Sequence, residues 1–266
     1  MRKIFSKRNK ALVAELVRTD FKLRYQGSVL GYTWSLLKPL LMFGILYIVF
    51  AEFLRLGRDI ENFPIYLLLG IVLWYFFSEL TGTGLGSIVY RSDLVRKIRI
   101  PRWIIVVSSS LSALISLSLN LLIILVFVAF SDVEITRLAI LFPFIVGQIY
   151  LLGLGFSLLL SAAYVKYRDI SYIWDVVLQA FFYLTPILYP LQMIPGEIFQ
   201  KILLLNPMAQ AIQDARFVVV TEETMTVGSV YGHINYRLIM VGFVIFIFVS
   251  GVLYFKKQSK TFAENL

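Results

Sequence analysis

The stretch RKIRIPRW, residues 96–103, carries four positive charges and no acidic residue. Lysines and arginines clustered in this way can attract the phosphates of nucleic acid, the headgroups of anionic lipids or an acidic protein surface. Which of these partners the stretch meets depends on the elements that surround it in the chain.

The sequence lacks the residue patterns of the common catalytic and nucleotide-binding sites. It contains no Gly-Lys pair, so it has no G-x-x-x-x-G-K-[ST] loop for the phosphates of ATP. There is no G-x-S-x-G elbow, no H-E-x-x-H pair and no cysteine, and His233 is the one histidine. We therefore predict that the chain is not an enzyme and holds no metal or cofactor; if ATP drives it, ATP and Mg are bound by a separate chain. An enzyme that acts on lipid-linked sugars through scattered carboxylates is the alternative.

The composition is that of an integral membrane protein. Hydrophobic residues make up 59% of the 266 residues, charged residues 15%, and the mean hydropathy is +0.81, which exceeds what a soluble core of this length can bury. A spanning helix needs about 20 mostly apolar residues. We predict an all-α protein with six transmembrane helices over residues 32–54, 63–81, 104–130, 138–164, 172–191 and 238–254.

The lysines and arginines are distributed unevenly between the two sets of loops. Eighteen of the 25 fall on the side of the two termini and six on the other side, and Lys38, at the start of the first span, is counted on neither. Because basic loops stay in the cytoplasm, we predict that both termini are cytoplasmic. The net charge of +9 is thereby explained by topology, and no nucleic acid partner is predicted, since a short loop against a bilayer offers it little surface.

Two segments outside the spans are also predicted to be helical. In residues 11–25, apolar side chains recur at helical spacing beneath a row of basic ones, which predicts an amphipathic helix in the headgroup plane. Residues 192–237 carry apolar residues at helical spacing broken by prolines, which predicts short re-entrant helices on the outer side between spans five and six. We divide the chain into a cytoplasmic N-terminal segment, 1–31, and a transmembrane domain, 32–266.

Along the third span, small polar side chains recur at every fourth residue. These are Ser108, Ser112, Ser116 and Asn120. Such a stripe suits close helix packing with hydrogen bonds between helices, and a path for a solute is the alternative.

Three ordered motifs resemble those of type-2 ABC export permeases for polysaccharides. RYQGSVLGYTWSLLKPLL, residues 24–41, resembles the family's Arg-Tyr, its Gly-Ser-x-Leu-Gly turn, and the Trp and Pro that open the first span. YRDISYIWDVVLQAFFYLTPILYP, residues 167–190, resembles its Arg-Asp-Ile cytoplasmic turn and the Thr-Pro-Ile-x-Tyr-Pro end of the fifth span. LNPMAQAIQDAR, residues 205–216, is similar to its Asn-Pro element and downstream Arg. With six spans in order, the resemblance covers nearly the whole chain.

The family includes exporters of O-antigen, capsule and teichoic acid. The resemblance implies a permease subunit in the bacterial cytoplasmic (inner) membrane, which forms a homodimer with two copies of a separate ABC ATPase. A lipid-linked glycan would cross between the two permease subunits, with membrane lipids around them. Export of a small lipid or drug is an alternative of the same class, and a passive channel or membrane scaffold is one of a different class.

The resemblance also favours a role for the basic stretch in contacting the ATPase or forming a gate. We predict that Arg96, Lys97 and Arg99, on a short helix, couple the permease to the ATPase. Arg168 and Asp169, in the next cytoplasmic turn, are predicted to act with them. The alternative is a basic loop that only sets the topology and meets anionic lipid.

Aromatic residues make up 15% of the chain, and many lie in the first, second and fifth spans. Sugar C–H faces pack on aromatic rings without demanding one hydrogen-bond pattern, and weak repeated contacts suit a sliding polymer. We predict that Tyr47, Phe181 and Tyr183 line the glycan path. The alternative is that these rings fill helix interfaces or face lipid.

Overall fold

The computed structural model describes residues 6–24, 28, 30–57, 60–97, 100–131, 133, 136–232 and 235–265. These residues are helical or in turns, and no strand occurs among them, which confirms the all-α membrane fold. Their helices are α1 Lys7–Arg24, α2 Trp34–Tyr47, α3 Phe63–Gly86, α4 Ser92–Lys97, α5 Trp103–Ala129, α6 Phe142–Lys166, α7 Ile170–Leu184, α8 Glu197–Leu204, α9 Pro207–Val219, α10 Val227–Tyr231, α11 Asn235–Gln258 and α12 Phe262–Asn265.

Five helices of the described residues are long and apolar enough to cross a membrane. A π-helical turn, Ile48–Phe53, extends α2, and a 3-10 turn, Arg137–Leu141, precedes α6. With these extensions the five segments correspond to the first, second, third, fourth and sixth predicted spans. They are Trp34–Phe53, Phe63–Gly86, Trp103–Ala129, Arg137–Lys166 and Arg237–Gln258.

Helix α3 is the centre of the bundle. Its residues 63–77 are apolar on every face, and 78% of its spanning segment is buried, against 17% for that of α2 and 22% for that of α11. A helix that is hydrophobic all round has to be surrounded by other helices or by lipid. Here α5, α6, α7 and α9 all pack against α3, so it forms the core on which the other elements are placed.

The fifth predicted span, residues 172–191, is shorter than predicted. Helix α7 ends at Leu184, because Pro186 has no N–H to continue the helix and forces Thr185 into an extended conformation, φ −84° and ψ 135°. Its 15 residues extend about 22 Å, less than the roughly 30 Å of a bilayer core. The predicted boundary at 191 is therefore wrong, and the count of six spans stays a prediction.

Glycines and serines allow the helices to approach one another closely. A Cβ on Gly251 of α11 would overlap the carbonyl oxygen of Gly155 on α6. The polar stripe of α5 is buried; its Ser116 donates to Glu79 Oε1 of α3 at 3.1 Å, and its Asn120 donates to the Ser35 carbonyl of α2 at 3.3 Å. These hydrogen bonds confirm the packing role predicted for the stripe, and a solute path along it stays a prediction.

The amphipathic helix predicted over residues 11–25 is α1, which begins earlier, at Lys7. The hydroxyl of Ser6 accepts the backbone N–H of Asn9 at 3.2 Å and so caps the polar first turn. Helix α1 packs against α5, and Asp20 on α1 forms an ion pair with Arg91. Its position in the headgroup plane stays a prediction.

The segment between α7 and α11 contains the short helices α8, α9 and α10; that they re-enter the membrane from the outer side stays a prediction. Pro207 occupies the first turn of α9, where a missing N–H costs nothing, and Asn206 caps it. Helix α9 packs against α3, α6 and α8, and ten of its thirteen residues are buried. It is thus part of the protein interior and not a surface loop.

Candidate functional site

Arg216 on α9 is the largest of the completely buried side chains in the described part of the chain. Its Nη1 donates to the carbonyl oxygen of Pro186 at 2.6 Å, and its Nη2 to that of Ile187 at 2.7 Å. Its Nε donates to the carbonyl oxygen of Tyr66 at 3.0 Å, and Nη1 also donates to Gln213 Oε1 at 2.9 Å. One guanidinium therefore binds the broken end of α7 to α3.

The charge of Arg216 is compensated without a carboxylate among the described residues. Its guanidinium carbon lies 3.6 Å from the centroid of the Tyr66 ring, a cation–π contact. Carbonyl oxygens and the Gln213 amide supply the remaining partners, as a buried cation requires. Gly70 leaves the necessary space, because a Cβ there would lie 2.5 Å from Nη2.

Asn206 makes a second connection between the same two segments. Its Nδ2 donates to Thr185 Oγ1 at 2.9 Å, and its Oδ1 accepts the backbone N–H of Met208 at 3.0 Å. The Thr-Pro break after α7 and the Asn-Pro start of α9 are thus held by two side chains, Asn206 and Arg216. We call Tyr66, Thr185, Asn206, Gln213 and Arg216 the arginine clamp.

Asp214 ties α9 to the start of α11. Its Oδ1 accepts a 2.7 Å hydrogen bond from Arg237 Nη2, and Asp214 is 5% exposed. Burial raises the pKa of Asp214, and the charge and hydrogen bond of Arg237 partly offset that rise. Helix α9 is therefore fixed to α3, to the α7 break and to α11.

The three residues predicted to line a glycan path do not lie in one cavity of the single chain. Tyr47 on α2 packs 5.7 Å from Phe43, ring centroid to centroid, and lines a shallow cleft with Arg55. Phe181 on α7 is 43% exposed and lines a cavity of about 510 Å³. Tyr183, 60% exposed, contacts the Phe182 ring at 5.3 Å. Their role in a path stays a prediction.

The cavity beside Phe181 has an aromatic wall. The rings of Trp74, Phe77, Phe156 and Trp174 follow one another at centroid distances of 5.3 to 6.5 Å. Trp174 Nε1 also donates to Thr81 Oγ1 at 3.1 Å, which fixes the indole against α3. These rings belong to the core, so the aromatic density of the sequence is in large part structural.

The residues predicted to couple to the ATPase lie at the end of the bundle opposite the arginine clamp. Helix α4 carries Arg96, whose side chain is exposed, whereas the Lys97 side chain and Arg99 lie outside the described residues. Arg168 and Asp169 form the exposed turn between α6 and α7, and the Arg168 guanidinium stacks 5.2 Å from the Tyr164 ring centroid. Among the described residues, Arg96 forms no hydrogen bond or ion pair with that turn, so their joint role stays a prediction.

The sequence profile of the ABC-2 type transporter family matches residues 11–220. The chain belongs to this family. It is 33% identical over 200 residues to the O-antigen export system permease protein RfbA of Myxococcus xanthus, which covers 75% of this chain and 76% of the relative. It is 29% identical to the protein of the same name from Klebsiella pneumoniae over 96% of this chain and 95% of the relative. It is 24% identical to the polysialic acid transport protein KpsM of Escherichia coli over 78% of this chain and 80% of the relative.

The family match of this ABC-2 type transporter ends at residue 220, directly after α9. It thus contains the whole arginine clamp. The sequence motifs singled out Thr185, Asn206 and Arg216 but missed Tyr66, Gly70 and Gln213. An isolated glycine inside an apolar helix was the one available signal, since such a glycine often has a packing reason.

Proposed function

We propose that this chain is the membrane permease subunit of an ATP-driven exporter of lipid-linked polysaccharide, of the O-antigen or capsule type, in the bacterial cytoplasmic membrane. The observation that carries the proposal is the likeness to an O-antigen export system permease over 96% of this chain and 95% of the relative. Teichoic acid is a third polymer of the same kind. Both termini face the cytoplasm, where the basic loops lie.

The permease works as a homodimer through the exposed faces of α2 and α7. Helix α2 leaves most of its surface uncovered, including Leu41 and Ile45 at 51% and 60% exposure. Lys38, one turn into the same segment, is also exposed, with its Nζ 5.8 Å from the Tyr75 ring centroid. A cation in a spanning helix faces protein or water and not lipid tails, which supports a subunit interface or a polar path along α2.

The polysaccharide passes between the two copies of this chain. Beside Lys38 lies a cleft of about 740 Å³ that is open to the surface and is lined by α2, α3 and α5. Its wall includes Trp34, Tyr75, Glu79 and Asn120, a mixture of rings and polar groups. Such a surface suits sugars, which present both C–H faces and hydroxyls.

Two copies of a separate ABC ATPase bind ATP and Mg²⁺ and attach at the cytoplasmic loops. The sequence of this chain has no P-loop, so it supplies the path and not the hydrolysis. Arg96, Arg168 and Asp169, all exposed, provide a charged surface for that attachment.

The test is ATP hydrolysis by this chain purified together with its partner ABC ATPase. Lipid-linked polysaccharide from the same source should stimulate hydrolysis, and the same lipid diphosphate without its glycan should stimulate it far less. Equal stimulation by the two would favour export of a small lipid. No stimulation by either would contradict an ATP-driven exporter of this substrate.

A further inference from the structure

A second large cleft lies at the end of the bundle that carries the basic stretch, away from α2. It has a volume of about 1060 Å³ and is bounded by α4, by the first turn of α5, by α6 and by the C-terminal half of α11. Its deep part is apolar and lies on spanning helices. That wall is formed by Leu154, Leu158, Phe248, Val252 and Phe255.

The shallow part of this cleft is positively charged. Of the described residues that line it, Arg96, Arg102 and Lys256 are charged and none is acidic. In the described part of the chain, the cations that form ion pairs are Arg91, Lys201 and Arg237, so no carboxylate there neutralises these three. The guanidinium of Arg102 lies 5.9 Å from the Phe262 ring centroid, which places it at the edge of the C-terminal helix α12.

Trp103 also lines the cleft; it follows Arg102 directly in the chain and is the first residue of the spanning helix α5. Tryptophan is enriched where headgroups meet acyl chains, because its ring is apolar and its N–H is polar. Its position at the first residue of α5 therefore puts the charged rim at headgroup level. The apolar wall then lies at the depth of the acyl chains.

We propose that this cleft binds an anionic phospholipid of the surrounding leaflet. Arg102 and Lys256 hold its phosphate, and an acyl chain lies along Phe248 and Val252. Basic pockets between spanning helices recognise anionic headgroups in this way. Helix α11 has 22% of its spanning segment buried, so the wall is open to the bilayer, from which a lipid can enter sideways.

A lipid fits this cleft better than a soluble anion or a segment of a partner protein. A free phosphate would contact only the charged side chains of the cleft. It would bury none of the apolar wall, whereas an acyl chain would. Arg96 of α4 also lines the charged part of the cleft, so a bound lipid would stabilise the position of α4. The inference does not depend on which polymer the protein exports.

The test measures lipid binding to the purified full-length chain by native mass spectrometry. We expect palmitoyl-oleoyl phosphatidylglycerol to bind at least about tenfold more tightly than the phosphatidylcholine with the same chains. The double variant Arg102→Gln, Lys256→Gln should weaken phosphatidylglycerol binding about 30-fold, because each cation near an anionic surface contributes about 1 kcal/mol. The control, Arg55→Gln with Arg137→Gln, removes two exposed charges from the opposite end of the bundle and should bind as the unmodified chain does.

A second variant tests the apolar wall without changing the charge. Val252 is 39% exposed, so Val252→Trp fills the cleft with little disturbance of the core and should also abolish binding. Millimolar inorganic phosphate should not displace the lipid. The proposal would be overturned if the two lipids bind equally, or if the double variant binds like its control. It would also be overturned if Val252→Trp binds like the unmodified chain, or if phosphate displaces the lipid.

The unmodified chain gives an independent measurement if a variant does not fold. Brominated phosphatidylglycerol should quench the part of the tryptophan fluorescence that is lost in Trp103→Phe, and brominated phosphatidylcholine should quench it less. Equal quenching by both lipids would contradict a selective site beside Trp103.

Discussion

The guanidinium carbon of Arg216 lies 3.6 Å from the centroid of the Tyr66 ring, and its Nε donates a 3.0 Å hydrogen bond to the Tyr66 carbonyl oxygen. The same side chain binds the carbonyl oxygens of Pro186 and Ile187, where α7 has ended. A broken helix in a membrane protein exposes carbonyl groups that lipid cannot satisfy. Arg216 satisfies two of them and fixes α9 in place.

Replacing Arg216 by methionine should destabilise the protein strongly. The change keeps much of the side-chain volume but leaves the buried carbonyl oxygens of Pro186 and Ile187 without a donor, each at about 1–3 kcal/mol. We expect a loss of at least about 2 kcal/mol, measured by thermal or denaturant unfolding in detergent. The control is Lys201→Met, since Lys201 lies on the surface of α8. Equal stability of Arg216→Met and the unmodified chain would show that the clamp does not hold the fold.

Gly70→Ala should damage the same contact from the opposite side. A methyl group at Gly70 would lie 2.5 Å from Arg216 Nη2, so the guanidinium would have to move from its carbonyl partners. Gly82 on the same helix has no heavy atom within 4 Å of its Cβ position, and Gly82→Ala is the matched control. In unfolding measurements, Gly70→Ala should lower stability and Gly82→Ala should not. When Arg216→Met is already present, Gly70→Ala should lower the stability much less than it does in the unmodified chain, because the two sites are coupled. Additive losses of stability would refute the coupling.

The sequence predicts the spanning helices because a run of about 20 apolar residues is a local property. It also predicts the packing of the α5 stripe, because a four-residue spacing places Ser112 and Ser116 on one face. The end of α7 was missed because residues 187–191 stay mostly apolar after Pro186, so hydropathy continues where the helix cannot.

The arginine clamp could not be derived from spacing alone. Arg216 and Tyr66 are 150 residues apart, and no local pattern links an arginine on one helix to a glycine on another. The motif resemblance marked Thr185, Asn206 and Arg216 without saying that they meet. Their contact depends on where the break after α7 falls against α9, which only the tertiary structure gives.

Coupling to the ATPase should fail when the turn between α6 and α7 loses its charges. If the exposed turn contacts the ATPase as proposed, we expect Arg168→Ala and Asp169→Ala to reduce export severalfold while ATP hydrolysis by the complex continues. The measurement compares surface polysaccharide with the ATPase rate at equal membrane protein level. The controls Arg18→Ala and Glu15→Ala remove exposed charges from α1. Unchanged export in both turn variants would refute the coupling role.

The aromatic residues of α2 and α7 should affect export more than stability. Tyr47→Leu, Phe181→Leu and Tyr183→Leu keep a large apolar side chain, which usually costs less than about 1.5 kcal/mol. If these rings contact the sugars, the amount of surface polysaccharide should fall. The membrane protein level, dimerisation and association with the ATPase should stay unchanged. Phe144→Leu, at a 76% exposed residue of α6, is the control. Full export by all three variants would place the path elsewhere.

The most direct measurement is transport in proteoliposomes that contain this chain and its ATPase. Lipid-linked polysaccharide with a labelled glycan is placed in the leaflet that faces the ATPase, and a glycosidase enclosed in the lumen reports arrival of the glycan. The account predicts label release that requires ATP and that disappears without this chain. Release without ATP, or no release although ATP is hydrolysed and the lipid-linked glycan is bound, would contradict it.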